Sequence, residues 1–348
     1  MKSRKKIAPD DRITIREVAT RAGVSVGTVS RFVNGFKLKK STTAKVDEAI
    51  DELGYKQNVI ARGMITHRTF SIGILLPIFD EFHTEILSAV QRLFDRQGYS
   101  VGVSQYESEE RTMEEKIRFM RERYTDGLII SPNILRVSAG VSQELRRCRD
   151  AKIPLITFNN RLLDWEADHV HVNDGEAVQQ AIDYLVHMKH TDIAILAGSE
   201  NLSTARERLD GYHQAMQRNG IPKSRRIVLS GHWSVSASGY SLTKKLFALK
   251  KRPTAVFVAN KTLALGLLEY MHEMDLRITE DLAIVSFDDS PVFALHRPGI
   301  TALRQPSELI AQAIAGVMIR RLSGDWSQFP FEQRIATELI LRRSVASR

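Results

Sequence analysis

From Phe70 onward, short β-rich runs alternate with amphipathic helical stretches, and this alternation constrains the fold more than any other feature of the chain. The runs are 71–76, 100–105, 127–131, 154–158, 192–197, 226–229, 255–258 and 282–287. Helical segments of roughly 12–18 residues lie between most of them, the pattern of βαβ units and of parallel sheets with helices on both faces. About 280 residues is a large number for one sheet, so two similar lobes are expected. Ligands of such sheets bind beyond the carboxyl ends of the strands, where candidate binding residues are therefore sought. The sequence shows no internal repeat and no low-complexity segment.

The first 64 residues follow another rhythm. Thr14 with Glu17 three residues later is a capping-box signal, and Ile15, Val18, Ala19 and Ala22 recur at the spacing of one helix face. Gly23 supplies the left-handed residue that ends this helix. Ser25 can cap a second helix running to about Val33, which Asn34-Gly35 breaks. A third is expected from about Ser41 to Leu53, with Val46, Ala49, Ile50 and Leu53 inside and Gly54 as its stop. Three short helices, the first two joined by a tight glycine turn, describe a helix-turn-helix domain. Residues 58–64 have room for barely two helical turns, and Gly63 weakens them, so this stretch is expected to be a hinge ordered only when something holds it.

Charge divides along the same boundary. Residues 1–64 carry fourteen Lys or Arg against seven Asp or Glu, which is +7 of the chain's formal +9. A basic segment attached to a near-neutral body is the footprint of contact with a polyanion. Residues 1–6 read equally well as a solvated tail, but 12–64 combine the charge with helical patterning. Apolar residues make up 43% of the chain and charged residues 26%, the balance of a globular protein. No apolar stretch approaches the ~18 residues that span a bilayer, and the basic start lacks the apolar run of a secretory signal. A cytoplasmic location with no membrane partner is expected. The single Cys148 excludes an intramolecular disulfide and cysteine-based metal sites. Phosphate-binding, metalloprotease and serine-hydrolase motifs are absent, so no catalytic residue, cofactor or metal is expected. The pairs His169/His171 and His187/His190 read as surface or strand histidines.

The chain resembles the LacI/GalR family of bacterial transcriptional regulators over nearly its whole length. The resemblance rests first on Ile15-Arg-Glu-Val-Ala-Thr-Arg-Ala-Gly-Val-Ser-Val-Gly-Thr-Val-Ser-Arg31, followed by Asn34-Gly35, Leu53-Gly54-Tyr55 and the hinge residues Asn58, Ala61 and Arg62. Downstream it rests on Thr204-Ala-Arg-Glu-Arg-Leu-Asp-Gly-Tyr212, Phe257-Val-Ala-Asn260, Ala264-Leu-Gly266, Ser286-Phe-Asp-Asp-Ser290 and Arg304-Gln-Pro306. It implies an α plus α/β protein: an N-terminal helix-turn-helix head, a hinge helix, and a two-lobed parallel-sheet α/β core of the periplasmic-binding-protein type I class. The expected divisions are a disordered basic tail at 1–11, the head at 12–56, hinge helix and linker at 57–69, and an effector-binding and dimerisation core at 70–348. The closing Leu341–Arg348 has no apolar heptads, so a homodimer without an appended coiled coil is expected.

Within the head, the second helix is expected in a DNA major groove, where base edges are distinguishable. Arg31 is the candidate base reader, since a guanidinium donates two bonds to guanine. Val26 and Gly27 occupy positions that face bases in the family; Val26 offers apolar contact to a thymine methyl, whereas Gly27 has no side chain to read with. Thr14, Ser25, Thr28, Ser30 and Asn34 read as phosphate or capping groups, and Val29 and Val33 as core. Met64 stands where the family places a leucine that wedges into the minor groove. Ala61 permits close approach of two hinge helices, and Gln57 departs from the family's usual proline.

For the cleft, the resemblance assigns Arg208 to effector hydroxyls or carboxylates and Trp233 to an aromatic platform. Asp288 and Asn260 follow predicted strands and offer an acceptor pair and a donor with an acceptor; Arg161 is a further candidate. Lys261 departs from the family's usual aspartate, and beside Arg208 and Arg161 it favours an acidic or phosphorylated ligand over a neutral sugar. The expected function is sequence-specific control of transcription at a pseudo-palindromic double-stranded operator, set by a sugar, sugar acid or sugar phosphate. A purine or nucleoside, or a protein partner, remains an alternative. A solute-binding transport protein would share the core but not residues 14–64, and an architectural DNA-binding protein would lack the ligand-type lobes.

Overall fold

The computed structural model describes residues 13–33, 36–55, 68–106, 110–123 and 125–348. The expected basic tail, Asn34, and the hinge residues Gln57, Asn58, Ala61 and Met64 lie outside them. The chain divides between Phe70 and Ser71 into two compact units.

The first unit is built from α1 (Ile15–Ala22), α2 (Val26–Val33) and α3 (Lys40–Leu53). At the start of α1, the Glu17 carboxylate accepts the backbone N–H of Thr14 at 2.6 Å and its hydroxyl at 2.9 Å, satisfying a donor that the helix itself cannot. Gly23 and Gly54 end α1 and α3 in left-handed conformation, with φ of 64° and 61°. The following residue donates back into each helix, Val24 to the Ala19 carbonyl at 3.0 Å and Tyr55 to that of Ile50 at 3.1 Å. Between the helices Val18, Ala19, Ala22, Val29, Val46 and Ala49 are buried, with Phe32, Val33, Ile50 and Leu53 packed around them.

The second unit holds two six-stranded sheets. The first lobe uses β1 (Ser71–Leu76), β2 (Ser100–Gln105), β3 (Gly127–Ile130), β4 (Leu155–Phe158), β5 (Asp168–Val172) and β11 (Glu332–Ile335), in the order β11-β5-β4-β3-β1-β2 and all parallel. The second uses β6 (Ile193–Ala197), β7 (Ile227–Ser230), β8 (Ala255–Val258), β9 (Ala283–Phe287), β10 (Thr301–Arg304) and β12 (Glu338–Ile340). Their order is β12-β10-β9-β8-β6-β7, parallel except for β12, which runs antiparallel to β10. Helices α4 (Glu81–Asp95), α5 (Glu110–Glu122), α6 (Ala139–Asp150), α7 (Asp174–His187), α8 (Ser203–Arg218), α9 (Ser236–Phe247), α10 (Lys261–Glu273), α11 (Pro291–Leu295) and α12 (Ser307–Leu322) complete it.

The eight expected runs are all strands, matching within one residue at either end. The four others, β5, β10, β11 and β12, lie on the side of each sheet where the chain passes between lobes. It crosses after β5, again through α12 between β10 and β11, and a third time between β11 and β12.

One ion pair pins the second crossing. Arg321 of α12 donates from Nε and Nη2 to the two carboxylate oxygens of Asp168 on β5, each at 2.8 Å, and both side chains are at most 1% exposed. The remaining Nη1 donates to the carbonyls of Asp325 and Ser327, and the N–H of Phe331 donates to Asp168 at 2.8 Å. The turn between α12 and β11 is thus gathered onto β5. At the third crossing, Asn173 accepts the Thr337 N–H on its side-chain oxygen at 2.8 Å. Arg321→Leu strands the Asp168 carboxylate in the interior and is expected to lower stability by about 3–5 kcal/mol. Urea unfolding measures this, and a loss under about 1 kcal/mol would contradict the role given to the pair.

Candidate nucleic-acid interface and ligand cleft

In the head, α2 turns Val29 into the core and presents its other side to solvent. Ser25, Val26, Gly27 and Arg31 are exposed, while Thr28 and Ser30 are half-buried. Ser25 Oγ accepts the Thr28 N–H at 3.1 Å and shares a 2.9 Å hydrogen bond with the Thr28 hydroxyl, so both side chains cap the helix start. Thr14, exposed, gives its hydroxyl to Glu17. A Cβ on Gly27 would meet nothing nearer than Ser25 Oγ at 3.8 Å, so the fold does not require glycine there. The Arg31 guanidinium lies 5.9 Å from the centroid of the Phe36 ring. A narrow exposed ridge carrying one guanidinium fork and two small residues has the shape and chemistry of a major-groove reader.

In the core, a cleft of about 880 Å³ opens between the lobes, lined at the carboxyl ends of strands from both sheets. It brings together Arg208, Trp233, Asn260, Lys261 and Asp288. Arg161 is not among the lining residues: its guanidinium pairs with Glu332 on β11, and its N–H donates to Ser203 Oγ at 3.0 Å.

Arg208 is held on three sides. Its Nε donates to buried Asp174 and its Nη1 to the Ala259 carbonyl, each at 2.6 Å, and it lies 3.5 Å from the centroid of Phe287. Nη2 is left without a hydrogen bond among the described residues. Burial pushes the Asp174 carboxyl up, against the pull of Arg208. Asp288 adopts a left-handed backbone, φ 67°, as does Asn159 at the end of β4, φ 63°. Non-glycine residues held there mark a conformation that the surroundings impose. Asp288 lines the cleft, with Oδ1 accepting from Gln305 at 2.6 Å and Oδ2 from the Lys261 N–H at 3.5 Å. Asn260 caps α10, accepting the Leu263 N–H and donating to the Trp233 carbonyl, both at 2.8 Å. Both ends of its amide are engaged in holding the Trp233 loop. The Trp233 ring is half-buried and stacks on His232.

The first lobe's wall was not anticipated from the sequence. Asp80 and His83 follow β1, and Asn133 and Asn160 follow β3 and β4. His83 is 3% exposed, with Nδ1 2.7 Å from Asp80 Oδ1 and Nε2 3.0 Å from Ser131 Oγ. Burial raises the Asp80 carboxyl, but its hydrogen bonds and charge interaction with His83 outweigh it, and the net shift is downward. The signal was available, because these residues directly follow a predicted strand.

The expected excess of positive charge is absent. Lys261 Nζ donates across the cleft to Glu81 at 2.7 Å, Arg92 pairs with Glu308 at 2.9 Å, and Arg304 and Arg342 both pair with Asp289 at 2.7 Å. With Arg208 on Asp174 and Arg161 on Glu332, every lysine and arginine once counted toward an acidic ligand is already matched by a carboxylate. Among the described residues no cluster of His, Cys, Asp and Glu is arranged to hold a metal ion, and no helix is long and apolar enough to cross a membrane. His169 and His171 stack in β5, ring centroids 4.8 Å apart, and burial followed by the charge of His171 pushes His169 down to about 3. His190 is buried against Thr254 and the Ala346 carbonyl, while His187 is exposed.

Comparison with known proteins bears on both sites. Residues 14–58 match the family described as bacterial regulatory proteins, lacI family, and residues 182–345 match the periplasmic binding protein-like domain. The ribose operon repressor of Escherichia coli is 28% identical over 336 residues, covering 96% of this chain and 99% of the relative. The transcriptional repressor PurR of Vibrio vulnificus is 28% identical over 337 residues, covering 95% and 98%. Among solved structures, the Lac repressor dimer bound to operator and the anti-inducer ONPF superposes with a TM-score of 0.80 at 26% identity, covering 97% of this chain and all of the other. The complex of the regulator CelR with cellobiose gives 0.71 at 26%, covering 96% and 100%.

Beside Arg208 on α8, Glu207 faces a smaller pocket of about 310 Å³ behind the cleft, with His171, Asp174 and Arg334. Burial, and then the charge of Asp174, push its carboxyl up to about 7. The folded chain therefore keeps a proton that the unfolded chain releases near pH 4.5, so stability falls as pH rises from there to about 7. Glu207→Gln is expected to flatten this part of the profile and to be more stable than the parent at about pH 8 by the order of 2 kcal/mol. Denaturant titrations across the range test it; parallel profiles would contradict it.

Proposed function

The chain belongs to the LacI family of bacterial regulatory proteins and is a DNA-binding, effector-controlled transcriptional regulator, and from that premise we propose that its effector is a neutral polyhydroxylated molecule of the sugar class. The observation that carries this reading is the charge balance of the cleft, where each Lys and Arg already faces a carboxylate. An added phosphate or carboxylate would have to displace one of those partners, whereas hydroxyls need only donors and acceptors. Asp288 accepts two hydroxyls, Arg208 Nη2 donates to a third oxygen, and Trp233 stacks on the apolar face of the ring. Asn260 and Lys261 act as supports for these groups, and Arg161 has no ligand role. The similarity to a ribose operon repressor and to a cellobiose-bound regulator supports the same class.

At the DNA, Arg31 donates two hydrogen bonds to a guanine and Val26 meets a thymine methyl. Thr14, Ser25, Thr28, Ser30 and Asn34 serve as phosphate or capping groups, Asn58 contacts the DNA from the hinge, and Met64 wedges into the minor groove, with Ala61 allowing the partner's approach. Two copies are needed for two half-sites about one DNA turn apart on a pseudo-palindrome, so the working unit is a homodimer. It acts as a repressor in the cytoplasm, at the nucleoid. The effector controls operator affinity through its unequal affinity for two arrangements of the lobes, transmitted along the chain between the units.

Two experiments test this. Thermal melting against neutral pentoses and hexoses, their acids and phosphates, and purines is expected to show stabilisation by a neutral sugar, weakened about tenfold or more in Asp288→Asn. Stabilisation only by a phosphorylated or acidic compound would overturn the neutral-ligand reading. For the head, Arg31→Ala is expected to weaken binding to an operator selected from random sequence by about 1–3 kcal/mol while sparing non-specific binding. Equal weakening on every sequence would instead make Arg31 a phosphate contact.

A further inference from the structure

Lys261 is poorly placed for its own helix. It is the first residue of α10, directly after the cap Asn260, and the first turn of α10 contains no acidic residue. A cation there opposes the positive end of the helix dipole. Its counter-charge comes from the other lobe, because Glu81 stands in the first turn of α4, where a carboxylate is favoured. The N-termini of α4 and α10 thus meet across the cleft with the Glu81 carboxylate between them, and the charge of Lys261 also helps to hold down the carboxyl of Asp80, the cap of α4. The pair is 2.7 Å long, and the side chains are only 16% and 35% exposed, so it is partly withdrawn from water.

We propose that Glu81 and Lys261 form a latch between the lobes that holds the cleft closed without effector, acting as positioning residues rather than ligand contacts. The lobes are also joined by an exposed ion pair of Arg334 on β11 with Glu176 on α7, outside the cleft, and by a neutral cluster. In that cluster, Asn160 Oδ1 accepts the Thr204 N–H at 3.1 Å, the Thr204 hydroxyl at 2.9 Å and the Ser203 hydroxyl at 3.3 Å. Those neutral bonds respond little to salt, whereas an ion pair that keeps part of its surface in water is screened in part. The Lys261 N–H also lies 3.5 Å from Asp288 Oδ2, so opening the latch shifts a residue next to the proposed ligand carboxylate. Ionic strength then sets how much of the protein is closed before any effector arrives. The latch acts in the same way whichever molecule the cleft takes.

The test uses the full chain without ligand. Trp233 lines the cleft, so with Trp165 and Trp326 replaced by Phe its quenching by neutral acrylamide reports opening. Raising salt from about 0.1 M to about 1 M shortens the screening length from about 10 Å to about 3 Å and is expected to increase quenching. Lys261→Gln and Glu81→Gln are expected to raise the open-to-closed ratio about twofold to fivefold at low salt and to remove most of the salt response. The exchange Glu81→Lys with Lys261→Glu keeps one charge of each sign across the cleft and should restore closure toward the parent level. Single variants that quench like the parent, or an exchange no better than either, would overturn the latch. Should a variant fail to fold, the parent alone still decides: quenching unchanged by salt overturns the proposal.

Discussion

The organisation of the core depends on the buried contact between Arg208 and Asp174. Asp174 is the first residue of α7, immediately after the chain passes from the first lobe to the second. Arg208 reaches it from α8, reaches the Ala259 carbonyl at the end of β8, and covers the Phe287 ring at the end of β9. One guanidinium therefore gathers the elements that make the second lobe's side of the cleft. Removing two charges from water is costly, and the pair is held because the fork is also satisfied by a carbonyl and an aromatic face. Glu207, one residue away, is held protonated near neutrality first by burial and then by the charge of the same Asp174 carboxylate.

From this base the cleft acquires its character by charge matching. Cations reach it from α4, α8, α10, β10 and the segment after β12, and each finds a carboxylate. Some matches lie within one lobe, such as Arg304 with Asp289, and one spans the two, Lys261 with Glu81. The first kind shapes the wall, and the second ties the wall's shape to the separation of the lobes. The proposed preference for a neutral ligand and the proposed salt-sensitive latch thus share one origin, a cleft whose cations are each matched by a carboxylate.

The sequence was informative where burial is uniform or caps are local. The eight strands visible as apolar runs are mostly central, covered on both faces, and so carry little polar signal. Capping at Thr14 and Glu17, and the left-handed Gly23 and Gly54, act within a few residues and were legible for that reason. β11 and β12 are short edge strands with exposed polar positions, and neither resembles a run. β5 is buried throughout yet carries Asp168, His169 and His171, because Arg321 of α12 pairs with Asp168, Thr157 meets His169, and Glu332 of β11 lies 2.9 Å from His171. Its alternation with Val170 and Val172 was the available clue.

The division into a basic helical head and a two-lobed α/β body, the ridge on α2, and the residues that follow β7, β8 and β9 were readable along the chain. These depend on periodicity, caps and composition, all of which are local along the chain. Which charges are free depends on the folded arrangement. Lys261 and Glu81 are 180 positions apart, and Arg161 and Glu332 are 171 apart. Whether a lysine at a helix start attracts an anion or is already neutralised depends on what the fold brings within a few ångströms of it. Coulomb energy follows distance in space, and sequence order does not encode that distance.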